Sequence, residues 1–185
     1  IISAGVGEDI SFDVAFANDF NARVVLVDPT PKAVNHYKDL SARFGCESSI
    51  SFKKSTGKQP VEAYELKDLE ARRLTLEPKA LWNTKTVLKF FMPPNPDHVS
   101  CSILNFQNNY RQDTQHIEVE SITVNEILEK NGLSANEIPL IKLDIEGAEI
   151  EVIQDMLAKG ITPDQILVEF DEFNIPNAKG HERID

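Results

Sequence analysis

The chain has 185 residues, with 19 Lys and Arg against 30 Asp and Glu, for a formal net charge of −11. Hydrophobic residues make up 41% and charged residues 26%, the balance of a soluble globular domain large enough for a real core. Such acidity excludes a broad nucleic-acid or anionic-membrane face, which needs clustered positive charge. No run approaches the roughly 18 apolar residues of a membrane span.

Residues 1–185 read as one domain. No signal peptide is visible, and Cys46 and Cys101 lack metal-ligand spacing, so they read as reduced thiols of a cytoplasmic protein. The chain opens without Met inside what reads as its first core strand, so the expectation is a fold truncated at both ends.

Ile1 and Ile2 lead into the turn Gly5-Val6-Gly7, and a helical pattern follows at once. From Ile10 to Phe20 the residues Phe12, Phe16 and Phe20 recur at i, i+4, i+8, with Val14 and Ala17 beside them. Arg23–Asp28 is a short apolar run with the character of a buried parallel strand. Pro29 and Pro31 stop it, Thr30 can cap, and Pro31 suits the first turn of a helix running to about Phe44. Residues 46–75 read as an insertion, with a short strand, a Gly turn and room for a helix over Val61–Arg73. Leu74–Trp82 and Thr86–Met92 read as two strands joined by a turn at Asn83-Thr84-Lys85. Pro93–Pro96 is a rigid loop and Asn105–Gln115 a mobile one. His116–Ser121 resembles a strand, and Val124–Asn131 a helix ending at Gly132. Leu140–Ile145 is a buried strand, Gly147–Lys159 a helix, and Gln165–Glu169 a further apolar strand. Strands alternating with helices imply an α/β, doubly wound, mostly parallel sheet of Rossmann-like form.

Three strands end on acids, Asp28, Asp144 and Glu169, and in a parallel sheet these ends line one crevice. The glycine turn there suits a nucleoside, and Asp28 stands about 20 residues beyond Gly7, where such units place the acid for a ribose diol. Asp before Pro is also ordinary turn chemistry. A dinucleotide fingerprint wants a third Gly where this chain has Ile10, and Glu8, Asp9 and Asp13 would repel a pyrophosphate at the helix N-terminus. A ligand with an amine or a sulfonium is tolerated far better, and S-adenosyl-L-methionine is one.

Gly5-Val-Gly-Glu-Asp-Ile-Ser-Phe-Asp13, Asp28-Pro-Thr-Pro31, Ala80-Leu-Trp-Asn83, Asn95-Pro-Asp-His-Val-Ser100 and Lys142-Leu-Asp-Ile-Glu-Gly-Ala-Glu149 resemble an FkbM-type methyltransferase, in the family's order. The resemblance implies the S-adenosylmethionine-dependent methyltransferase fold. It also implies methyl transfer to a hydroxyl of a sugar, glycolipid or polyketide-type acceptor, which would be the small-molecule or glycan partner. Carried over by position, Ser3, Gly5, Gly7 and Asp28 belong to the cofactor site, and Asp144 sits where cofactor and acceptor meet. Such sheets usually end in two further strands, and the short polar stretch after Glu169 offers no such pair.

A sugar hydroxyl is a poor nucleophile, so a general base is expected, with Asp144 and Glu146 the leading candidates. Ile141, Leu143 and Ile145 should pack on one face, leaving Lys142 to reach away along the strand and Asp144 to meet the crevice. Gly147 would let a bulky acceptor approach the backbone. Glu146 and Glu149 can equally serve the helix dipole, and Glu149 suits that role better. His98 lies in a loop that could fold over the crevice, as a base or as a solvated side chain; His36, His116 and His181 have no evident partners. Asp144, Glu146 and Glu169 are hard oxygen ligands, but strand-end acids are common without metal and none is assigned. The competing readings are a non-catalytic nucleoside- or partner-binding module of the same fold, and a dinucleotide-binding domain.

Overall fold

A computed structural model describes residues 1–54, 57–93 and 101–170. The strands are β1 (Ile2–Ala4), β2 (Val24–Val27), β3 (Leu74–Glu77), β4 (Ala80–Leu81), β5 (Val87–Phe91), β6 (His116–Ile122), β7 (Leu140–Leu143) and β8 (Gln165–Val168). The helices are α1 (Ser11–Asp19), α2 (Pro31–Ser41), α3 (Val124–Asn131) and α4 (Glu149–Ala158). Five strands form a parallel sheet in the order β3-β2-β1-β7-β8. The direction of winding changes between β1 and β7, so the crevice of such a sheet opens at their carboxyl ends.

Side-chain alternation assigns the two faces. Ile2 and Ala4 of β1, Val25 and Val27 of β2, and Ile141 and Leu143 of β7 pack against α3 and α4. Val24, Leu26 and Leu74 pack on the other face, under α1 and α2. Ser3 is paired with Leu26 on one side and Lys142 on the other, so both polar side chains belong to the α1 face. Local signals fix the helix ends. Thr30 accepts from the Ala33 N–H with Pro31 at the first helical position, and Thr123 forms a capping box with Glu126. Gly132 closes α3 in the left-handed conformation, at φ 63°.

Two features differ from the expectations, and two others could not be read from the pattern. The phenylalanines of α1 do not form its core face: Asp13, Val14 and Ala17 are buried instead, while Phe20 is 69% exposed. Phe12, Phe16 and Phe20 instead contact one another along the helix as tilted ring pairs. The region after Glu77 is not a hairpin: β6 lies between β4 and β5, parallel to the first and antiparallel to the second. Val61–Arg73 holds no α-helix, only two 3₁₀ turns, yet Tyr64, Leu66 and Leu69 are buried under α1 and α2. In the run after Asn105, the Asn105 side chain donates to Arg111 O at 2.6 Å.

Gly5 joins β1 to β7. Its φ is +75°, and a Cβ there would stand 1.6 Å from the Asp144 carbonyl oxygen. Gly5→Ala therefore combines left-handed strain with a backbone clash, and should lower stability by about 2–5 kcal/mol. Urea unfolding checks this through a lower midpoint; an unchanged midpoint would show that the two strand ends can separate freely.

Candidate active site

The crevice begins with the glycine turn. The Asp28 carboxylate reaches back to it, Oδ2 accepting from Val6 N at 3.1 Å and Gly7 N at 2.9 Å. Its Oδ1 accepts from Thr30 N at 2.8 Å and Thr30 Oγ1 at 2.7 Å. A carboxylate has about four acceptor positions, so all are in use. The successive N–H groups that such a turn could offer to a phosphate are thus held by the protein's own anion. Asp28 stands where the sequence puts it, but its bonds are to the chain.

Next to the turn, on the α1 face, stand Ser3, Asp13, Lys142 and Asp144. Lys142 does not reach away along the strand: its Nζ is 3.4 Å from Gly5 O and 3.6 Å from Asp144 Oδ2. The alternation that puts Lys142 and Asp144 on one face brings both to the crevice. Burial raises the Asp144 carboxyl above its ordinary range, and the charges of Glu169 and Asp28 add to that while Lys142 opposes it. Asp13 is 2% exposed. Burial pushes its carboxyl up to about 6, against the opposing influence of the Ser3 hydroxyl and Lys142. The Ser3 hydroxyl is near enough to favour the charged form, yet neither Ser3 Oγ nor Asp13 Oδ1 completes a well-formed hydrogen bond.

The loop after β7 supplies the far wall. Glu146 lies in the left-handed region at φ 55°, a conformation costing about 1–3 kcal/mol outside glycine, and its carbonyl accepts from Ser102 Oγ at 2.6 Å. Gly147 makes room for Leu104 rather than for an acceptor: a Cβ on it would be 2.8 Å from Leu104 Cδ1. Glu149 is buried and ties the loop down, accepting from Ile145 N at 2.8 Å and Gly147 N at 3.0 Å. His98 lies outside the described residues.

Residues 46–75 reach this site: Gly57 lines the cavity. Gln59 Nε2 donates to Asp9 Oδ2 at 3.2 Å, Gln59 N donates to Glu8 O at 2.9 Å, and Lys58 pairs with Glu8 at 2.5 Å. Buried Tyr64 accepts from Ile10 N at 3.1 Å and stands 3.0 Å from His36 Nε2, the partner that the sequence did not reveal. Ala63, Tyr64, Leu66 and Leu69 amid polar residues were the available signal. Asp13 also carried one, since positions 10, 13, 14 and 17 form the buried stripe of α1.

Together these elements enclose a cavity of about 360 Å³, within the range of small-ligand sites. Val27, Phe12, Leu81 and Phe90 give it an apolar side, while Asp9, Asp13, Asp28, Asp144 and Glu146 face one cation, Lys142, among the described lining residues. Gly5 and Gly7 line the cavity too, and Ser3 is buried in β1 on the α1 face. The described residues contain no group of three or more His, Cys, Asp or Glu that could hold a metal ion. None of their helices is long and apolar enough to cross a membrane.

Asp13 sets a pH dependence. Its folded-state carboxyl holds a proton that the unfolded chain releases from about pH 4. Raising the pH from about 4 to above 6 therefore removes stability, on the order of 3 kcal/mol when complete. Asp13→Asn abolishes this contribution, so the stability difference between variant and wild type should grow in the variant's favour across that window. Urea titrations at a series of pH values check it; a difference that does not vary with pH would refute it.

The geometry of a parallel sheet, a glycine turn at its switch point and an acid-lined crevice agrees with the comparison against family models. The Methyltransferase FkbM domain model matches residues 4–185. Searches of curated proteins and of solved structures each return no match. With the family model covering nearly the whole sequence, the chain belongs to the FkbM methyltransferase domain family.

Proposed function

We propose that the chain is an O-methyltransferase that uses S-adenosyl-L-methionine and acts on a hydroxyl of a sugar, glycolipid or polyketide-type acceptor. We place it in the cytoplasm, where the free thiols of Cys46 and Cys101 would stay reduced. The carrying observation is the acidic crevice at the β1/β7 switch point, with Asp9, Asp13, Asp28, Asp144 and Glu146 around Lys142. A cationic ligand is favoured there, and a pyrophosphate would meet both this charge and N–H groups already taken by Asp28. When bound, the cofactor supplies an electrophilic methyl group on a positively charged sulfur.

Ser3, Gly5, Gly7 and Asp28 would hold the cofactor, the last by fixing the turn and, with release of a Thr30 contact, by meeting a ribose hydroxyl. Asp144 would orient the acceptor hydroxyl and take its proton, with Glu146 and His98 as the other candidate bases. Burial that raises the proton affinity of Asp144 makes it a stronger base than an exposed carboxylate. Positioning alone can supply effective molarities of about 10⁵ M or more. Titration calorimetry with S-adenosylmethionine, S-adenosylhomocysteine and NAD tests the reading: both methionine derivatives should bind and NAD should not. Binding of NAD with no response to either would overturn it, and cofactor binding without turnover across a broad sugar panel would favour a binding module.

Asp144→Asn keeps the shape and removes the charge. Turnover should fall by about 10²–10⁴ while affinity for S-adenosylmethionine changes little. Steady-state rates with an accepted sugar, beside calorimetry, separate the outcomes. Collapse of affinity would make Asp144 a cofactor ligand, and full activity would show that no base acts at this position.

A further inference from the structure

The joint between the glycine turn and α1 is gripped by a segment that follows α2 in the chain. Three successive residues are held. Glu8 O accepts from Gln59 N at 2.9 Å, and the Glu8 carboxylate pairs with Lys58 at 2.5 Å. Asp9 Oδ2 accepts from Gln59 Nε2 at 3.2 Å. Ile10 N donates to the Tyr64 hydroxyl at 3.1 Å. Ile10 stands at the N-cap of α1 and brings no side-chain oxygen, so the start of this helix leans on a residue 54 positions away. Tyr64 is fully buried, and its hydroxyl also stands 3.0 Å from Nε2 of buried His36 on α2. A phenol hydroxyl has one proton to give. Among the described residues its contacts at hydrogen-bond distance are Ile10 N, which donates, and His36 Nε2. The hydroxyl therefore donates to His36, and this bonding pattern assigns a neutral ring with its proton on Nδ1.

We propose that His36, Tyr64 and the Ile10 amide form a proton-operated latch, which holds the start of α1 while His36 is neutral and releases it when His36 takes a proton. A protonated ring carries N–H on both nitrogens and has no lone pair for the hydroxyl. Tyr64 would then face two donors, Ile10 N–H and His36 Nε2–H, with its own proton unplaced in a buried site, which is costly. Burial is the largest influence on the ring and lowers its proton affinity, and Lys58 of the gripping segment adds to this. Glu8 and Asp9 of the turn and Asp39 of α2 act the other way, without outweighing burial. An opened latch exposes the ring, which then titrates near its ordinary value of about 6.5. The opened form thus binds more protons than the closed one, and acid favours it. The consequence lies at the crevice, because Asp9, Ser11 and Phe12, on either side of Ile10, line the cavity. The latch holds that wall in place whichever ligand the crevice takes.

Hydrogen exchange of the Ile10 amide, corrected for the intrinsic pH dependence of exchange, reads the latch directly. In the wild type its protection should fall about 10-fold from pH 7.5 to 5.5, the change expected when the open form titrates near 6.5 and the closed form stays neutral. His36→Gln keeps an acceptor that does not titrate, so its protection should stay flat over that range. Tyr64→Phe removes the hydroxyl and should leave the amide weakly protected at every pH. Wild-type protection that does not change with pH would overturn the latch, as would a fall of the same size in His36→Gln. Amides of β7 report global opening, including the Asp13 effect, and an Ile10 amide that only tracks them would overturn it too. Calorimetry with S-adenosylhomocysteine tests the link to the crevice. Its affinity for the wild type, relative to His36→Gln, should weaken over the same window; a ratio that ignores pH while the amide opens would overturn that link. Failure of this thioether to bind at any pH would refute the cofactor reading, while the exchange result still decides the latch.

Discussion

Four hydrogen bonds converging on one carboxylate organise this molecule. Asp28, at the end of β2, holds Val6 N and Gly7 N of the first turn and both donors of Thr30 at the start of α2. The glycine turn, the second strand and the second helix are thereby locked into one unit. Each bond to a charged group contributes about 1.5–3 kcal/mol, so the turn has little freedom. The same arrangement has a chemical consequence. A strand–glycine–helix unit normally exposes N–H groups that attract phosphate. Here they face an internal anion, and the crevice is left with an excess of acceptors.

The second constraint is steric. Gly5 packs so closely against the Asp144 carbonyl that no side chain fits between them, and Gly5 O also receives Lys142 Nζ. The end of β1 and the end of β7 are therefore a single wall. The base proposed on one strand is held at a fixed distance from the glycine turn on the other, which is what the proposed in-line transfer requires. Glu149 and Ser102 extend this rigidity into the loop beyond, by holding Ile145 N, Gly147 N and Glu146 O.

Much of this was legible in the sequence where local chemistry decides structure. Thr30-Pro31 and Thr123 with Glu126 announce helix starts, Gly132 announces a helix stop, and uniform apolar runs announce buried parallel strands. Legibility failed where partners are distant in sequence. The hairpin expected from Leu74–Met92 is split by β6, which arrives from residue 116 onward. Residues 46–75 look polar because only a few apolar side chains anchor them, yet Gln59 and Tyr64 hold the helix that follows the glycine turn. Phe12, Phe16 and Phe20 mark a helical period but not which face is buried, and close packing on a sheet favoured Val14 and Ala17. At the site itself, the strand-end acids could be located but their bonds could not. Asp28 and Glu149 turn inward to backbone N–H groups, whereas Asp13, which reads as one more acid at a helix start, is the one left without a complete set of partners.

That contrast carries the final step. Folding alone would not keep a carboxylate at position 13, because an apolar side chain on the buried stripe of α1 would lose nothing to desolvation. Local rules of helix and core are satisfied along the rest of that stripe by Ile10, Val14 and Ala17. An isolated violation of such rules, opening on a cavity, is where function is expected to oppose stability. Asp28 shows that this fold can supply a buried acid with four hydrogen bonds when the acid serves architecture. Asp13 is not so satisfied, and the difference between the two separates an acid that shapes the turn from one that lines the crevice on the buried stripe of α1.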